Sequence, residues 1–122
     1  MSGAIAPVTV DASHLDSSAF EIIVAELGRD DTVQMFAIFF TDTDKRLSRL
    51  RQLSCDSWEA IEREAHGLKG SAGNFGLRQV SQLAAGLEQE AQVLTPARYD
   101  AALRSLEISY AAARKRFEGL VG

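Results

Sequence analysis

The spacing of apolar residues limits what this chain can fold into more than any other feature. Ile61, Ala65, Leu68, Ala72 and Phe75 step by four, three, four and three, and Tyr99, Leu103, Leu106, Tyr110, Ala113 and Phe117 alternate in the same way. Side chains so spaced share one face of an α-helix, whereas a half-buried strand would need every second residue apolar. Proline, which breaks helices, occurs only at Pro7 and Pro96, and glycine is scarce outside residues 67–76.

The pattern predicts five helices. The first covers about 18–27, with Ser18 and Glu21 as a capping box and Gly28 as its stop. The second runs from about 31 to 53, capped by Asp30 or Asp31. Its inward stripe is Val33, Phe36, Ala37, Phe40, Leu47, Leu50 and Leu53, widened by Met35, Ile38 and Phe39 and weakened by the polar 41–43 stretch. The third starts behind Asp56 as N-cap and ends near Gly73-Asn74. The fourth covers about 77–93 with Val80, Leu83, Ala84, Leu87 and Ala91 inside. Thr95 caps the fifth, with Pro96 in its first turn. The expected fold class is all-α: an antiparallel up-down-up-down four-helix bundle with a short extra N-terminal helix over one end. Residues 1–15 read as an irregular leader and 16–122 as one domain.

Composition narrows the function. A chain of 122 residues that is 46% apolar can bury a core but has no room for a nucleotide-binding catalytic domain as well. A net charge of −4 argues against nucleic acid and against an anionic membrane surface. No run of 18 apolar residues is present, and the first residues carry neither Lys nor Arg, so neither membrane insertion nor a secretory signal is expected. Cys55 is the sole cysteine, which excludes an internal disulfide and makes a reducing, cytoplasmic setting the default. It reads as a small packed group.

One segment breaks the helical economy. Gly67, Gly70, Gly73 and Gly76 fall within ten residues, and the first two lie inside the third helix. Each interior glycine costs about 1 kcal/mol relative to alanine, and the core stripe does not use them. At about 100° per residue, His66 lies on the flank of that stripe. Gly70 is one turn further on beside it, Gly73 is on the same side, and Lys69 can bring its ammonium over the same spot. A histidine with room around it and a cation nearby suits an anionic group held on nitrogen. Glu62, one turn before His66, reads as a surface carboxylate, Trp58 as a packing anchor and His14 as inert. The glycines form neither a P-loop nor a dinucleotide fingerprint. His66 with Glu62 offers two ligands where a stable site needs three or four, so no metal and no cofactor are expected.

The stretch Ala65-His66-Gly67-Leu68-Lys69-Gly70-Ser71-Ala72 resembles the motif of histidine-phosphotransfer domains, a histidine followed by x-x-Lys-Gly. The likeness runs on through Asn74-Phe75-Gly76-Leu77 into Leu83 and Leu87-Glu88, and upstream through Phe40-Thr41-Asp42-Thr43 and Leu47-Ser48-Arg49-Leu50, covering about residues 30–90. The resemblance implies that His66 takes a phosphoryl group on its outer ring nitrogen from a receiver-domain phospho-aspartate and passes it to another response regulator. Lys69 would pair with the phosphoryl oxygens and Gly70 would leave room for the partner. Glu88, with Gln82 as the alternative, would face the imidazole and fix its tautomer. The implied partners are response-regulator receiver domains and hybrid sensor histidine kinases. The receiver would supply the aspartate and Mg²⁺, so the chain itself would be a carrier, not an enzyme. Ile22, Ile23, Met35 or Ile38 would form the docking face. Two other readings stand beside this one: a helical module that sequesters a partner, and the phospho-accepting input domain of a chemotaxis-type kinase. A monomer is the default state.

Overall fold

A computed structural model describes residues 15–121. Among these residues five α-helices make up the architecture: α1 (Ser17–Leu27), α2 (Arg29–Gln52), α3 (Trp58–Asn74), α4 (Arg78–Glu90) and α5 (Pro96–Val121). A single 3₁₀ turn, Ala91–Val93, tightens the exit from α4. The class is all-α, as the apolar spacing requires. Among the described residues the one β-bridge, Leu15 to Leu77, lies outside the helices. Leu15, at the edge of the expected leader, is buried in the core. His14 and Pro7 lie outside the described residues.

The helix starts differ from expectation for reasons of tertiary anchoring. Asp16 caps α1, in place of the expected Ser18–Glu21 box. Its Oδ1 accepts from the N–H groups of Ser18 (2.9 Å) and Ala19 (3.4 Å). Its own N–H donates to Gly76 O (2.7 Å), and Arg78 donates to its Oδ2 (3.0 Å). The turn between α3 and α4 therefore holds the cap in place. α2 follows α1 without a linker. Gly28, at φ 85°, ends one helix and starts the other, a backbone conformation that disfavours any other residue. Neither Asp30 nor Asp31 caps α2; both sit in its first turn, where the helix dipole favours negative charge. Ser57, not Asp56, precedes α3, without a side-chain cap. Thr95 caps α5 as expected, accepting from the Arg98 N–H at 3.2 Å.

The stripe of α2 is rotated from the expected one. Thr32, Phe36, Phe39, Phe40, Thr43, Leu47 and Leu50 are buried, while Ala37, Met35 and Ile38 face outward. Steps through Thr32 and Thr43 keep the stripe in phase, so two threonines enter the core, one of them from the polar 41–43 stretch expected to weaken it. The stripes of α3 and α5 match expectation: Ile61, Ala65, Leu68 and Ala72 have no exposure at all. Phe36 is the centre of an aromatic cluster, stacked on Phe117 (centroids 4.4 Å) and edge-on to Phe75 (4.9 Å) and Phe20 (5.9 Å). Helix α2 packs on α1, α3 and α5, α3 packs on α4, and α4 on α5. Trp58 and Cys55 are half-buried against the same core. No described helix is long and apolar enough to cross a membrane.

Candidate functional site

The site lies on the outer flank of α3 where α4 runs beside it. Core positions 61, 65, 68 and 72 fix the rotation of α3. At about 100° per residue, that rotation turns residue 66 away from the core. The His66 side chain is accordingly 68% exposed. Its Nδ1 lies 2.8 Å from Glu88 Oε2 on α4. A carboxylate only accepts, so Nδ1 carries the proton, and in the neutral ring the lone pair is then on Nε2. Nε2 has no hydrogen-bond partner among the described residues. Lys69 Nζ sits 3.0 Å from the other oxygen, Glu88 Oε1. The Lys69 ammonium first, and the His66 ring second, hold the Glu88 carboxyl below its usual range. One carboxylate thus joins the imidazole to the ammonium. Gln82, the alternative partner of the imidazole, instead lines the groove between α4 and α5 with Leu94 and Arg98.

The glycines around His66 differ in their surroundings. A Cβ placed on Gly70 would meet nothing within 4 Å. A Cβ on Gly67 would lie 2.5 Å from Arg46 Nη1. That guanidinium crosses from α2 and donates to Glu64 Oε1 (2.9 Å) and to the Glu64 carbonyl (3.3 Å). Gly67 therefore seats an interhelical ion pair, whereas Gly70 serves no contact within the molecule. On the α4 side, Ser81 Oγ donates to the Lys69 carbonyl at 2.8 Å, next to Gly73. Arg46 and Ser81 escaped the sequence reading. For Ser81 a signal was present: it stands seven residues, two helical turns, before Glu88 on the same face.

Glu59, Glu62, Arg63 and Trp58 line a shallow depression beside His66 and Glu88. Of the four candidate docking residues, Ile22 (59% exposed), Ile38 (64%) and Met35 (41%) are open to solvent. Ile23 is half-buried against the core. Among the described residues no group of three or more His, Cys, Asp or Glu side chains is placed to hold a metal ion.

A family model described as Hpt domain matches residues 34–115, a stretch that includes His66, Lys69, Gly70, Ser81 and Glu88. No curated protein matches the chain, and no solved structure does.

Proposed function

The chain belongs to the Hpt domain family, and from that premise we propose that His66 Nε2 takes a phosphoryl group from the phospho-aspartate of a receiver domain and passes it to another response regulator. Hpt domains are phosphoryl carriers of phosphorelays rather than catalysts, and they work with receiver domains and kinases. The observation that carries the assignment to His66 is the pairing of its Nδ1 with Glu88, which in the neutral ring leaves the lone pair on the outward Nε2.

In this reading the Nε2 lone pair attacks phosphorus, the P–N bond forms, and the P–O bond to the aspartate breaks, with the electron pair leaving on the carboxylate. The proton stays on Nδ1 throughout. The ring gains positive character as the bond forms, and Glu88 offsets it. Lys69 turns from Glu88 towards the phosphoryl oxygens, and Gly70 lets the partner's backbone approach. The receiver supplies the aspartyl phosphate and Mg²⁺, while this chain supplies a positioned nucleophile and a docking face that includes Ile22, Met35 and Ile38.

The short links between helices, with α2 touching both α3 and α5, support an antiparallel up-down-up-down bundle of α2 to α5, α1 being the extra helix. The phosphotransfer unit is read as starting at Leu15, whose side chain belongs to the core. A monomer in a reducing, cytoplasmic setting completes the reading. One observation favours a second one: a carboxylate rather than a neutral amide faces Nδ1, which strengthens the nucleophile enough to suit direct phosphorylation by an ATP-dependent kinase domain.

The test is to mix the protein with radiolabelled phospho-receiver and Mg²⁺, with His66→Gln in parallel. Label on the wild type alone, lost in acid and kept in base, is expected. Label that persists on His66→Gln sinks the assignment. Label that arrives only from a kinase domain with ATP selects the second reading, and tight binding without any label selects sequestration.

A further inference from the structure

Glu88 reaches His66 only if α4 holds one particular register along α3. The two helices run in opposite directions. From Gly73 back to His66 is seven residues, and from Ser81 forward to Glu88 is also seven. Seven residues are close to two full turns, so both positions of each helix lie on one line. Ser81 meets α3 at Gly73 and Lys69, and Glu88 meets it at His66 and Lys69. Between them stands Ala85, small enough to let the helices approach. The Ser81 hydroxyl donates to the Lys69 carbonyl at 2.8 Å, the one hydrogen bond described between α3 and α4 other than those of Glu88 itself. It grips the backbone of the residue whose ammonium Glu88 also holds. Apolar packing brings the two helices together, and a hydrogen bond to one carbonyl then fixes their register more narrowly.

We infer that Ser81 is a positioning residue for phosphotransfer: it sets the register of α4 on α3 and thereby holds Glu88 against His66 Nδ1. The inference rests on the reading of His66 as the phospho-acceptor for its kinetic consequence, but not for its structural one. Loss of the Ser81 bond lets Glu88 drift along the groove, so the Nδ1–H tautomer loses its fixed acceptor and a share of the rings carries the proton on Nε2 instead. In that state the lone pair is on Nδ1, which faces α4, and the outward Nε2 has none to offer phosphorus.

The experiment uses Ser81→Ala, with Ser81→Thr to restore the hydroxyl. The readouts are the imidazole ¹⁵N shifts of His66 and the rate of label transfer from a phospho-receiver. In Ser81→Ala the His66 nitrogens are expected to move towards the average of the two tautomers. Transfer is expected to slow about fivefold, the scale of one lost hydrogen bond between helices. Helicity should stay near wild type and the unfolding midpoint should fall by about 4 °C, the cost of the same hydrogen bond, and Ser81→Thr should recover both readouts. Wild-type ¹⁵N shifts in Ser81→Ala overturn the inference, whatever happens to the rate, because slower transfer without a tautomer change is a matter of stability alone. Failure of the carrier reading looks different: the wild type takes no label, while the ¹⁵N comparison still reports on Ser81.

Discussion

Replacing Gly70 by Ala separates what the fold needs from what a partner needs. Gly70 lies in the interior of α3 with ordinary helical backbone, and a Cβ there meets nothing within 4 Å. Alanine gains about 1 kcal/mol over glycine at such a position. Unfolding entropy near 2 cal/mol/K per residue converts this into a rise of about 4 °C in Tm for a chain of 122 residues. The same methyl projects beside His66 into the space assigned to the incoming domain. Forcing an extra methyl into a packed interface costs about 1–3 kcal/mol, which places the loss in transfer rate near tenfold. Thermal unfolding and label transfer, measured on the same preparation, should therefore move in opposite senses. A lower Tm would mean that the fold itself requires the glycine. An unchanged transfer rate would refute the idea that Gly70 is kept for access.

Three further outcomes follow from the packing. Gly67→Ala gains the same propensity but pushes Arg46 off Glu64, so it should be near neutral alone and stabilising by about 1 kcal/mol on an Arg46→Ala background; denaturant melts giving equal effects on both backgrounds would rule out the seat. Phe36→Ala empties the centre of the aromatic cluster and should cost about 3–5 kcal/mol in urea unfolding; a loss under about 1 kcal/mol would show that the cluster collapses to fill the gap. Burial pushes the Tyr99 phenol up to about 12 from 10.0. A folded-state value above the unfolded one gives stability that is complete below pH 10 and is lost as pH rises to 12. Wild type should thus lose more stability than Tyr99→Phe over that window, and parallel losses would contradict the assignment.

The sequence was most legible where burial alone sets the pattern. The stripes of α3 and α5 are legible residue by residue, because a helix inside a core has one apolar face and in these two the four-three spacing runs unbroken. The stripe of α2 was misread since Met35 and Ile38 are as apolar as Phe39, and nothing local says which of them finds a neighbour. Helix starts were misread for a related reason. Asp16 competes with Ser18 as a cap, and the choice is made by Gly76 and Arg78, some sixty residues away. At the site, His66 and Lys69 share one helix, so their proximity followed from spacing. The partner on α4 did not: Gln82 and Glu88 differ by the register across the 74–77 turn, and only the packed helices place Glu88 at the ring.

Charge at the site sets a condition that Lys69 meets. Glu88 is ionised, held below the usual carboxylate range by Lys69 and then by His66. A phosphoryl group on Nε2 brings further negative charge to the opposite side of the same ring. Lys69 sits on Glu88 Oε1 in the free protein and is one helical turn from the histidine, so a rotation of its chain carries the ammonium from carboxylate to phosphoryl. If Lys69 only gripped the phosphoryl oxygens, its removal and the change Glu88→Gln would act independently. If it also screens the phosphoryl from Glu88, Lys69→Ala leaves a bare carboxylate facing the product, and neutralising that carboxylate recovers part of the loss. The double-mutant cycle in phosphotransfer is therefore expected to be non-additive, with Glu88→Gln slowing the wild type yet speeding Lys69→Ala by about threefold, a coupling ordinary for side chains in contact. Raising the salt concentration should shrink that coupling, because both groups are partly open to solvent. Additive losses at low salt would leave Lys69 with the single task of holding the phosphoryl group.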